Sequence, residues 1–284
     1  MEADRARVSV DQSLEEFRRA VAGADTEIDP ARAALLMAKV EYPALNTERY
    51  LFRLDQLAQG ARRAGLNRDP LCRLHRLREF LFEEVGFRGN AEEYFDPRNS
   101  FLNDVLDRKL GIPITLSLLM MEVGRRLGLD IRGIGLPGHF VVGLQVGECQ
   151  VLLDPFHGGT LLTRDGAQDL VSRVLGRSVT LREEHFAPVT RRQLLRRMLA
   201  NLKAIYWRRE CWAKALPVME RLVALDPDAP EEMRDRGVVL INLGELAGGV
   251  ADFERYLTRC PEAPDAKTIR DHLRRVRAAL AALN

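Results

Sequence analysis

The chain has 284 residues, 46% of them hydrophobic and 30% charged, enough to bury one large core or two moderate ones. Its 43 basic and 41 acidic residues are mixed along the sequence and leave a net charge of +2, so no electrostatic argument favours a nucleic-acid partner. No apolar run approaches the ~18 residues needed to span a bilayer, and the opening MEADRARVSV lacks a signal-peptide core. The expectation is a soluble cytoplasmic protein.

The first third reads as helical. Ser13 to Ala22, Asp29-Pro30 to about Tyr42, Thr47 to about Ala64, and Asp69 to Val85 each carry a start signal and apolar residues at helical spacing. Leu74, Leu77, Leu81 and Phe82 form a core stripe in the last of these. Gly86 to Pro97 reads as a loop, and Asn99 or Ser100 as the cap of a helix carrying Phe101, Leu102, Val105 and Leu106. Four cysteines, Cys72, Cys149, Cys211 and Cys260, are scattered without metal-ligand spacing. The last three read as buried or half-exposed, whereas Cys72 falls in a helical first turn, where a thiol can become more acidic.

A helix from Pro113 to Leu127 follows, with Leu116, Leu119, Met120, Val123 and Leu127 at intervals of three and four and Gly128 at its end. Two strands then flank a Gly147-Glu148 hairpin turn, His139 opening one and Asp154 closing the other. This register pairs Val146 with Cys149 and Val141 with Asp154, so His139 and Asp154 become diagonal neighbours on one face. Helix start, histidine and carboxylate is the order of a cysteine-nucleophile site. The helix start, however, holds Pro113, Ile114, Thr115 and Ser117 and no thiol, and a hydroxyl gives up its proton far less readily.

Beyond Gly159 a short strand, a helix from Asp165 to about Leu175 and a linker near Glu183 to Pro188 are expected. An offset of 34 residues then matches Lys203 with Gly237, Tyr206 with Leu240, Ala215 with Gly249, Leu222 with Tyr256 and Pro227 with Pro261. That is the tetratricopeptide period with its closing proline twice. Two repeats and a closing helix, Asp265 to Leu283, fall short of the roughly three units that bury a continuous core, so packing on the rest of the chain is expected. The arginine runs RRAG, RRLG and RRQLLRR read as solvated helix faces.

The run from Glu79 to Gly159, with FLFEEVGFRGN, DPRNSFLNDVLDRKLGIPITLSLL, GLPGHF and DPFHGG, resembles the bacterial transglutaminase-like and tetratricopeptide-repeat family that includes the SirB-type proteins. The resemblance implies an α+β fold: a mainly helical chain with a transglutaminase-like (papain-like) core and a C-terminal helical repeat domain. Its expected parts are an N-terminal helical region over 1–95, the core over 96–187 and the repeats over 188–284. It places His139 and Asp154 on the histidine and aspartate positions and the nucleophile position at Pro113 or Ile114.

The leading functional expectation is a non-catalytic interaction or regulatory protein whose repeats bind a protein or peptide partner, with no cofactor. The alternative is a cysteine-independent hydrolase or acyl transferase with His139 as general base, Asp154 as its orienter and Thr115 or Ser117 as nucleophile. A third reading groups His139, Asp154 and His157 as a zinc or iron ligand set. The DPFHGG turn gives no independent support for that reading, and no metal is the expectation.

Overall fold

The computed structural model describes residues 2–63 and 69–283, with side chains from Gln12 to Ala282. It opens with α1 (Glu2–Val21), α2 (Pro30–Ala38), α3 (Thr47–Arg63) and α4 (Pro70–Arg78). The expected end of the third helix at Ala64 lies outside the described residues. The second ends at Ala38 rather than near Tyr42, the chain leaving it through a turn over residues 39–41. Asp69 caps α4 by accepting the Leu71 N–H at 3.0 Å, and α4 widens directly into a π-turn over Glu79–Glu84.

The supposed loop over 86–97 contains β1 (Arg88–Gly89), which pairs in parallel with β2 (Leu110–Gly111) after α5 (Leu102–Arg108). Two-residue strands leave no periodicity to read. Neither Asn99 nor Ser100 caps α5; both lie inside a 3-10 turn over Pro97–Ser100, and Phe101 stands at the cap position without a side-chain hydrogen bond. Asn99 is used instead to tie its own loop, donating to the Glu93 carbonyl at 2.7 Å and accepting from Asn90 at 3.1 Å.

α6 (Pro113–Arg126) is buried on nearly every face, as suits the central helix of a core. It packs on an antiparallel sheet ordered β3 (Ile131–Ile134), β4 (Val141–Val146), β5 (Cys149–Asp154), β6 (Thr160–Leu162). The hairpin register is as read, with Val146 opposite Cys149. β3 is an addition, because the short Ile-Arg-Gly-Ile run gives little strand signal. His139 precedes its strand rather than opening it. α7 (Arg164–Leu175), capped by Thr163, closes a cluster of Ile134, Leu136, Val141, Leu152, Ala167, Val171 and Phe186. Leu116, Met120, Val123, Phe140, Val142 and Leu152 are all buried, as their spacing predicts.

Five helices complete the chain: α8 (Arg191–Arg208), α9 (Trp212–Leu225), α10 (Pro230–Asn242), α11 (Leu246–Arg259) and α12 (Ala266–Leu283). From α9 onward each packs on the next. At the α10–α11 crossing, a Cβ on Gly249 would stand 3.0 Å from the Gly237 carbonyl oxygen and one on Gly237 would strike the Phe253 ring, so close approach requires glycine at both. The chain divides into two compact units, one of residues 23–38 and 44–198, the other of residues up to 22, 39–43 and 199–284. The N-terminal helices are thus shared between the units.

Candidate functional site

Short-range chemistry places each side chain of the strand half. Leu136-Pro137-Gly138-His139 forms a tight turn in which the His139 N–H donates to the Leu136 carbonyl at 3.2 Å, and Gly138 takes φ +70°, a value that favours glycine. Arg197 locks this turn: its Nη2 donates to the carbonyls of Leu136 at 2.8 Å and His139 at 2.5 Å, with the guanidinium over the Phe140 ring. On the neighbouring strand Asp154 ends β5 and caps a 3-10 turn over Pro155–His157, its Oδ1 accepting the Phe156 N–H at 3.0 Å. That turn brings His157 back to the same carboxylate.

Asp154 Oδ2 accepts from His139 Nε2 at 2.9 Å and from His157 Nδ1 at 2.7 Å. The two rings lie 6.0 Å apart and 28° from parallel, and Phe156 meets His139 edge-on. His139 and Asp154 are buried, whereas the His157 side chain is 53% exposed. Burial alone would push the Asp154 carboxyl up, but the hydrogen bonds and charge of His139, then of His157, outweigh it and hold the group below its ordinary range. An ionised carboxylate can only accept, so each imidazole must present N–H to it. This fixes the tautomer of a neutral His139 with its proton on Nε2, leaving Nδ1 as the free basic nitrogen, which has no hydrogen-bond partner among the described residues.

The helix half is different. Pro113 occupies the first position of α6 and Ile112 its cap, and both Pro113 and Ile114 are buried. Thr115 is fully engaged with backbone: its hydroxyl donates to the Asn99 carbonyl at 2.7 Å and accepts the Ile112 N–H at 3.1 Å. Ser117 is fully buried, and its Oγ has no hydrogen-bond partner among the described residues. The helix packs against the turn that carries His157. No cysteine lies in α6. Cys72 is exposed, and its hydrogen bond to Asp69 pushes the thiol pKa up, the reverse of the activation that its first-turn position suggests. Cys149 is exposed rather than buried or half-exposed.

Two neighbours escape sequence reading. Arg197 belongs to the RRQLLRR run read as a solvated face, yet it is half-buried, has no carboxylate partner among the described residues, and burial lowers its guanidinium pKa while Tyr94 opposes the change. Its position three residues after Leu194, at the edge of an apolar stripe, is the one signal available. Tyr94 lies edge-on to Phe156, its phenol pKa raised by burial against the charge of Arg197; nothing in the EEYFD stretch marks it.

A central buried helix on an antiparallel sheet, with a histidine just before one strand bonded to an aspartate at the end of the next, is the arrangement of a transglutaminase-like protein. A family model described as "Transglutaminase-like superfamily" matches residues 48–200, and one described as "Tetratricopeptide repeat" matches residues 202–274. The chain belongs to the bacterial transglutaminase-like and tetratricopeptide-repeat family whose members carry the names UPF0162 and SirB1. It is 35% identical to a UPF0162 protein of Xylella fastidiosa (strain 9a5c), over 93% of this chain and 96% of that protein. A UPF0162 protein of Vibrio cholerae is 30% identical over 84% and 88% of the two chains, and protein SirB1 of Salmonella typhimurium 25% identical over 82% and 86%. No solved structure matches the chain. Among the described residues no helix is long and apolar enough to cross a membrane.

Proposed function

We propose that this chain is a non-catalytic interaction or regulatory protein, in which a transglutaminase-like core without its nucleophile accompanies helical repeats that bind a protein or peptide partner. One observation carries the reading: the first turns of α6 offer Pro113, Ile114, a threonine whose hydroxyl is spent on two backbone groups, and a buried serine. Acyl transfer needs a nucleophile within hydrogen-bond reach of its base, and neither hydroxyl is free and exposed. The cytoplasm remains the expected location.

The His139–Asp154 pair favours the second reading, a hydroxyl-dependent hydrolase or acyl transferase, since a histidine oriented by a buried carboxylate with a free Nδ1 is the arrangement of a general base. Photo-crosslinking with the full chain separates the two classes. A photoreactive residue at exposed Ala213 in α9 or Ala251 in α11 should give a discrete adduct with one protein in the native cell, and the same residue at Glu148 in the core hairpin should not. Absence of any adduct from both repeat positions would contradict the interaction reading.

A further inference from the structure

We propose that His139, Asp154 and His157 form a binding site for one divalent transition-metal ion of the zinc class. This goes beyond the interaction reading and does not depend on it. Two imidazole nitrogens and one carboxylate oxygen lie within 4.8 Å of one another. Two imidazoles and a carboxylate are a ligand set for zinc or ferrous iron, whereas magnesium and calcium favour oxygen ligands.

The charge balance is compatible with the assignment. Asp154 is about 1% exposed, and its side-chain partners are the two imidazoles and the Phe156 amide; no lysine or arginine pairs with it among the described residues. A buried carboxylate is normally offset by a cation or coordinates a metal. Here the two imidazoles meet that need, and a divalent ion would take over the role once they coordinate it through the same nitrogens.

The mechanics are also suitable. The His139 backbone is held by its turn and by Arg197, and Asp154 by the sheet and the Phe156 amide, so these two ligands have the least room to move. His157 is the movable one, half-exposed on a three-residue turn that ends in Gly158 and Gly159, both at positive φ. Ligand atoms about 2.0–2.2 Å from zinc stand roughly 3.3–3.6 Å apart in tetrahedral geometry, so an ion enters as both imidazoles draw back from Oδ2, now 2.9 and 2.7 Å away, and their nitrogens approach each other. A ring that coordinates through the nitrogen now facing Oδ2 gives up the proton there and carries one on the other nitrogen instead, and solvent on the His157 side can complete the shell.

The test is calorimetric titration of the chelator-treated full chain with Zn²⁺, with Mg²⁺ as control, in the wild type, His157→Ala and Cys72→Ser. The last variant is included because exposed Cys72 and His75 stand three residues apart on one helix. One Zn²⁺ per chain is expected, at least tenfold weaker in His157→Ala, unchanged in Cys72→Ser, with no Mg²⁺ binding. His157 is exposed enough for its variant to fold, and a Zn²⁺-induced rise in melting temperature should disappear with it. No Zn²⁺ binding, affinity unaltered by His157→Ala, or loss in Cys72→Ser alone would each overturn the assignment.

Discussion

The strand half and the helix half of the candidate site are built from opposite chemistry. On the strand side, His139, Asp154, His157, Arg197 and the Phe156 amide form one connected polar network around a single buried carboxylate. On the helix side the first turn of α6 is apolar, and its one bonded hydroxyl, on Thr115, faces backbone. The difference teaches that a histidine–carboxylate pair can serve the fold as well as a reaction. It joins the Leu136–His139 turn to the end of β5, so its presence alone does not report catalysis.

Substitutions ordered by effect can break or sharpen this contrast. Asp154→Ala should cost the most, about 3 kcal/mol in urea unfolding, because it strands a buried imidazole and a backbone amide; a loss under about 1 kcal/mol would show the network is not structural. The acid limb of stability should carry the same signature. The folded carboxyl titrates below its unfolded value of about 3.9, so its stabilisation is complete above that pH and is lost as pH falls through the lower folded value. The stability gap between wild type and Asp154→Asn should therefore narrow as pH falls below about 4.

Thr115→Val comes next. It keeps the shape of the helix start but removes the acceptor for Ile112 and the donor to Asn99, at about 2 kcal/mol. An unchanged unfolding midpoint would mean the hydroxyl is available for other work. His157→Ala should cost less than about 1 kcal/mol, as its side chain is half-exposed. Ser117→Ala should be the smallest, neutral or stabilising by up to about 1 kcal/mol, since it removes a buried hydroxyl without a partner; marked destabilisation would reveal a bond that the structure lacks.

Long apolar periodicities and paired turns were legible in the sequence. α6 and its stripe, the Gly147-Glu148 hairpin, the 34-residue repeat and the closeness of His139 to Asp154 all follow from spacing and turn chemistry. What could not be read is set by contacts distant in sequence. β1 and β2 are two residues each and exist only as a pair. Asn99 resembles a helix cap but serves a loop and Thr115. Arg197 reaches His139 across 58 residues from a run that looks solvated. Composition marks such residues as exposed, and only the fold shows which of them are not.

The central claim, that the helix start carries no working nucleophile, is tested most directly by labelling the purified full chain with a hydroxyl-directed fluorophosphonate probe and mapping any adduct by mass spectrometry, in wild type and in His139→Ala. The account predicts no adduct on Thr115 or Ser117 in either protein. A stoichiometric adduct on either hydroxyl that disappears in His139→Ala would contradict it and make the chain a hydrolase or acyl transferase.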